Sequence, residues 1–123
     1  MPAPKEFAAI RKVLHNYMEG SYAADLSLLR SVFYPEASMS GFMGDQLEVG
    51  TTAPFYEELQ ANKSSKESGE AYHAEIGYIH ITGKAASASV IEDNLLGRNY
   101  VNHFHLLKIE SDWKIISKTY VEM

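Results

Sequence analysis

Long stretches of alternating apolar and polar residues fill the C-terminal half of the chain, and they constrain its fold more than any other feature. Ala71–Thr82 and Ala85–Leu95 flank the turn dipeptide Gly83-Lys84, and Gly97-Arg98 precedes Asn99–Tyr120. That last stretch, NYVNHFHLLKIESDWKIISKTY, reads as two arms joined by a tight polar turn at Glu110–Asp112. Strands of about ten residues coil as they twist, so the pattern predicts a strongly curved sheet rather than a flat one. Gly77, inside the first strand, marks a bend or bulge.

The N-terminal half has the helical period. Phe7, Ile10, Leu14 and Tyr17 are spaced by three, four and three residues, with Val13 and Met18 widening the stripe. Pro4 suits a first helical turn and Gly20 a stop. A second helix starts near Asp25, whose carboxylate suits a cap better than a general base. Its apolar face is Leu26, Leu29, Val32 and Phe33, and Pro35 ends it. Ala37–Met43 and Gln46–Gly50 form a small hairpin around Gly44-Asp45. Thr51 or Thr52 caps a third helix carrying Phe55, Tyr56 and Leu59, and Ala61–Glu70 is a polar loop. The order α-α-β-β-α-β-β-β-β is that of one α+β domain over residues 1–123. Three N-terminal helices pack on a strongly curved antiparallel sheet of about five to six strands.

Composition narrows the function. At 123 residues with 46% hydrophobic and 22% charged side chains, the chain can bury a core without staples. A net charge of −5 with 11 scattered basic residues argues against nucleic acid as a partner. No cysteine is present, which excludes disulfides, thiolate metal sites and a Cys nucleophile and suits a cytoplasmic protein. Arg11, Lys12 and His15 interrupt any apolar leader, and no stretch is long enough to span a bilayer. Nucleophile-elbow, dinucleotide-fingerprint and P-loop motifs are missing, so no nucleotide cofactor is implied.

Tyr17, Asp25, the run Phe33-Tyr34-Pro35-Glu36-Ala37, Gly83 with Ala86, and the closing YVNHFHLLKIESDWKIISKTY together resemble the NTF2-like (cone-fold) superfamily. The closing pattern is most similar to its SnoaL-like branch labelled putative lumazine-binding. The likeness spans nearly the whole chain and implies a bent sheet wrapped around helices, leaving a conical pocket. The superfamily includes isomerases, dehydratases, cyclases and transport factors, so the fold does not fix the function. That branch typically has an acidic residue on the penultimate strand, where this chain has Asn102. Asn orients a ligand but takes up no proton as a base, which weighs against isomerase or cyclase chemistry from that position.

Strand parity sorts the candidate site residues. With the turn at Glu110-Ser111, Leu106 pairs with Ile115, Phe104 with Ser117 and Asn102 with Thr119. These residues share one face with Tyr100 and Val121, while His103, His105, Leu107, Ile116, Lys118 and Tyr120 share the other. The resemblance assigns the Asn102 face to the pocket. The pocket candidates are Tyr17, Phe33, Met39, Phe42, Tyr56, Asn102, Phe104 and Trp113, with core packing the alternative for each aromatic. His73 with Asp93 is the candidate acid–base pair, the carboxylate fixing the imidazole tautomer. His103-x-His105 has metal-compatible spacing, with His73, His80 or Glu75 as third ligand, but no further motif supports it and no metal is expected. An outer face bearing Leu107, Ile109, Ile116 and Tyr120 is apolar enough to predict a homodimer packed sheet to sheet. The expected function is therefore the binding of an apolar or aromatic small molecule. The alternative is a dehydratase, isomerase or cyclase working in the same pocket.

Overall fold

The computed structural model describes residues 2–123 and contains ten elements: α1 (Pro4–Ala23), α2 (Leu26–Val32), β1 (Phe33–Met43), β2 (Gln46–Thr51), α3 (Ala53–Ala61), α4 (Ser65–Ser68), β3 (His73–Thr82), β4 (Ala85–Leu95), β5 (Arg98–Ile109) and β6 (Asp112–Glu122). The strands form one curved sheet in the order β2-β1-β6-β5-β4-β3. All neighbours run antiparallel except β1 and β6, which are parallel. The sheet is thus mixed, because the last strand inserts between the β1–β2 hairpin and the β3–β5 meander.

The apolar stripe of α1 (Ile10, Leu14, Tyr17 and Met18) is buried with Leu29 and Val32 of α2 and with Ala88, Val90, Phe104, Leu106 and Ile115 of the sheet. Each large side chain so buried contributes about 1.5–3 kcal/mol. Asp25 caps α2, its Oδ1 accepting the Leu28 N–H at 3.1 Å. Gly20 does not stop α1, which continues to Ala23 and ends at Ala24 with φ 53°. Its lack of a side chain serves packing instead, since a Cβ there would lie 2.7 Å from Leu29 Cγ. Nor does Pro35 end α2. It lies in β1, in the irregular stretch between Phe33 and Ser38 where the pairing with β6 shifts, so the missing N–H removes no ladder bond. The polar loop after α3 holds the single turn α4, with Ser64 Oγ accepting the Glu67 N–H.

Besides the shift between β1 and β6, three further irregularities interrupt the ladders. The β3–β4 register shifts at Gly77, where a Cβ would collide with Ser89 Oγ. The β4–β5 register shifts between Glu92 and Leu95. The third has the largest consequence for the site. Leu106 pairs with Ile115 but His105 pairs with Ser117, leaving Ile116 as an extra residue in β6. Beyond this bulge Phe104 faces Lys118 and Asn102 faces Tyr120, rather than Ser117 and Thr119. One inserted residue reverses the parity of the rest of β6 and brings Lys118 and Tyr120 to the concave side.

Candidate functional site

At the centre of the concave face is Glu92 of β4, fully buried and in phase with Ala86, Ala88 and Val90. A carboxylate without water needs donors to replace it, and three side chains supply them. Tyr17 donates its hydroxyl to Oε1 at 2.8 Å, and Asn102 Nδ2 donates to the same oxygen at 2.7 Å. Tyr72 donates to Oε2 at 2.7 Å. Each donor is fixed from a different direction. Tyr17 sits on the buried stripe of α1 against Phe104 (ring centroids 4.9 Å apart), and Tyr72 stacks on Tyr22 of α1 at 5.6 Å. Asn102 lies opposite Val90 in the β4–β5 ladder, and its Nδ2 also reaches the Val90 carbonyl at 3.2 Å. Burial, and then the Glu92 charge, push the Tyr17 and Tyr72 hydroxyls well above the ordinary tyrosine range. Both remain protonated donors at any physiological pH.

Beside this network a cavity of about 380 Å³ opens between α3, the β1–β2 hairpin and the middle of the sheet. Met39, Leu47, Val49, Phe55, Leu59 and Leu96 give it apolar walls, and Glu48, Glu58, Tyr100, Tyr120 and Lys118 its polar groups. Lys118 is the buried cation among these. Its Nζ lies 4.5 Å from the Phe55 ring centroid, 5.0 Å from that of Tyr17 and 5.4 Å from that of Tyr120. Three π faces around an ammonium are an attractive but incomplete replacement for water. The ion pairs among the described residues are His73–Glu75, Arg98–Glu122 and Lys108–Glu6, and none includes Lys118. Burial lowers the Lys118 pKa to about 8, with the Glu92 and Glu58 charges opposing the shift. On the cavity wall, the Tyr120 hydroxyl donates to Glu48 Oε1 at 2.6 Å. Gly41 of β1 makes room for Tyr120, since a Cβ there would meet the Tyr120 ring at 2.7 Å.

Of the eight pocket residues expected from sequence, Met39 lines this cavity. Tyr17, Phe33, Tyr56, Asn102, Phe104 and Trp113 are buried in the core, and Phe42 is 44% exposed near the end of β1. Tyr17 and Asn102 turn their polar atoms to Glu92, and Tyr17 also underlies Lys118. His73 and Asp93 are partners across β3 and β4, but both are exposed, the His73 side chain 69% so, and neither lines the cavity. The parity that exposes Asp93 buries Glu92, so the acid sought on the penultimate strand stands on the neighbouring one. His103 and His105 lie on the outer face, where His105 Nδ1 is 3.2 Å from Ser117 Oγ. Among the described residues no three His, Asp or Glu side chains converge as a metal site would require.

Glu92 carried a sequence signal, since it continues the alternation Ala86-Ala88-Val90 toward the core. Lys118 did not, because the bulge that turns it inward leaves β6 looking like an ordinary alternating strand.

Comparison with known proteins bears on the family and the fold. A family model described as "Putative lumazine-binding" matches residues 5–121. An NTF2-like protein of unknown function from Shewanella baltica OS155 superimposes with a TM-score of 0.89 at 30% identity, covering 100% of this chain and 98% of that one. NTF2-like proteins of unknown function from Silicibacter pomeroyi DSS-3 (TM-score 0.88, 20% identity, 100% of both chains) and Methylobacillus flagellatus KT (0.88, 22%, 99% and 95%) share the fold. None of the curated proteins compared with the chain matches it.

Proposed function

The chain belongs to the family described as putative lumazine-binding, within the NTF2-like superfamily, and on that premise we propose that it binds a small apolar or aromatic molecule in the cavity between α3 and the sheet. The observation that carries this reading is Lys118, a buried amine on a wall of mixed apolar and polar side chains that takes part in none of the ion pairs among the described residues. Such a group favours a ligand whose flat apolar body fills the space while an anionic or carbonyl oxygen reaches the Nζ. The probe 8-anilinonaphthalene-1-sulfonate has this character. It is expected to bind saturably with one site per chain, and Lys118→Met is expected to weaken it about tenfold, the worth of one charge-assisted contact. Val49→Trp, at a lining position 77% exposed in β2, should block the site without disturbing the core. Fluorescence that never saturates, or that ignores both substitutions, contradicts the reading.

Acid–base catalysis of the dehydratase or isomerase type is the second reading, and Lys118 favours it. A group that exchanges its proton near neutral pH inside a cavity suits general acid–base work better than the exposed His73–Asp93 pair.

The protein is further proposed to form a homodimer through the outer sheet face. Tyr78, Ile91, Leu107 and Val121 remain 37–45% exposed there, which supports a sheet-to-sheet contact although Tyr120 has turned inward. Light scattering at micromolar concentration is expected to give about twice 13.8 kDa, and Leu107→Glu to return the monomer mass. A monomer mass for the unmodified chain would rule the interface out. The cysteine-free composition supports a cytoplasmic setting.

A further inference from the structure

We propose that Lys118 captures apolar aldehydes or ketones as reversible imines, making the cavity a carbonyl-trapping site. This rests on the reading of that cavity as a ligand site and goes beyond it by assigning covalent chemistry to one atom. Three requirements of an imine-forming lysine are met. The amine ends in a space large enough for a small organic molecule, and among the described residues no carboxylate forms an ion pair with it. It is also desolvated by Phe55, Tyr17 and Tyr120, the setting that makes a lysine nucleophilic near neutral pH.

The groups around it suit the proton transfers. Glu58 and Phe55 face the cavity from α3, Glu48 from β2, Tyr100 from β5 and Tyr120 from β6. Tyr17 of α1 lies beneath, and Glu92 of β4 is bound behind it. In the first step the Nζ lone pair of the neutral amine attacks the carbonyl carbon. The C–O π pair moves to oxygen, and one proton passes from nitrogen to that oxygen, giving a carbinolamine. In the second, the nitrogen lone pair forms C=N as the C–O bond breaks, and the hydroxyl leaves as water with a proton donated by a wall tyrosine hydroxyl, Tyr100 or Tyr120, and restored to it from solvent. Hydrolysis is the reverse, so no oxidant or reductant is consumed. The Glu92 network has a positioning role, sustaining the adjacent positive charge of the iminium without touching the ligand.

The test is borohydride trapping of cinnamaldehyde on the intact chain, followed by peptide mapping. The chain's seven other lysines serve as internal controls. Expected is one dominant adduct, heavier by the aldehyde less one oxygen atom, on Lys118, formed at least tenfold faster than on any other lysine. Its rate should rise with a midpoint near pH 8, against about 10.4 for ordinary lysines. Labelling spread evenly over the surface lysines, or sparing Lys118, overturns the proposal. This readout uses the unmodified protein and so does not depend on a variant folding. Lys118→Arg, which keeps the charge but has no imine-forming amine, should lose the adduct. If cinnamaldehyde displaces that probe yet leaves no Lys118 adduct, the covalent step is wrong and the ligand site stands. If neither probe enters the cavity, both readings fall together.

Discussion

Glu92→Ala is expected to lower the unfolding free energy by about 4 kcal/mol, the range found when one partner of a buried charged network is removed. Truncation removes the acceptor shared by Tyr17, Tyr72 and Asn102 and leaves three donors in a space that was dry. Each unpaired buried donor costs about 1–3 kcal/mol, and water entering the vacated volume recovers part of that. Glu92→Gln separates shape from charge. It keeps one acceptor oxygen and its amide meets a tyrosine hydroxyl that can turn to accept, so a loss of about 1–2 kcal/mol is expected. Urea titrations of the three proteins check this, with the slope unchanged if the unfolded states are alike. Equal midpoints for all three would show that the network does not support the fold. Glu92→Gln also withdraws a charge that raises the Lys118 pKa, so the Lys118 midpoint should fall below about 8 in that variant.

Stability is expected to rise, not fall, as the solution is made moderately alkaline. Lys118 releases its proton near pH 8 in the folded protein and near 10.5 when unfolded. Between these values the unfolded chain binds more protons, and by linkage stability increases with pH. The contribution is fully present above 10.5 and is lost as pH falls through about 8. An interval of 2.5 pH units at 1.36 kcal/mol each gives about 3 kcal/mol. The tyrosines act in the opposite sense at higher pH. Burial holds Tyr17, Tyr72, Tyr100 and Tyr120 protonated beyond the ordinary range. Above about pH 10 the unfolded chain therefore binds fewer protons, and stability declines. The predicted profile climbs from pH 7.5 and turns over close to pH 10. Lys118→Met should abolish the climb and gain about 1–3 kcal/mol at pH 7, because a side chain of similar length replaces a desolvated cation without leaving a partner unpaired. Urea melts of both proteins from pH 7 to 10 check this. A flat profile for the unmodified chain, or a destabilised methionine variant, contradicts it.

Much of the architecture was legible in the sequence because alternation and turn chemistry are local. The bounds of β4, the turns at Gly83-Lys84 and Glu110-Ser111, the bulge at Gly77 and the Asp25 cap all follow from residues within a few positions of one another. The parallel β1–β6 pairing was not legible, since strand order depends on contacts some eighty residues apart. The site was read less well for the same reason. Tyr17 and Asn102 were singled out, but the group they share, Glu92, stands beside an Asp93 of the same chemistry, and only strict phase counting separates the two. Lys118 was assigned to the outer face because parity was carried through Ile116 without interruption. The bulge at Ile116 is marked only by two adjacent isoleucines between Lys114 and Ser117, and it decided which cation meets the cavity.

The place of β6 between β1 and β5 also bears on biosynthesis. The strand carrying Lys118 and Tyr120 is made after β1–β5, yet it joins the first hairpin to the rest of the sheet. While it is still inside the ribosome, β1–β2 has no partner in the meander and the cavity lacks one wall. The nascent chain must therefore hold an open sheet edge until β6 emerges, a long-range closure of the kind that slows folding and exposes intermediates to aggregation. Chaperone demand during synthesis should accordingly fall on the interval before β6 emerges, when the cavity still lacks the wall that carries Lys118 and Tyr120.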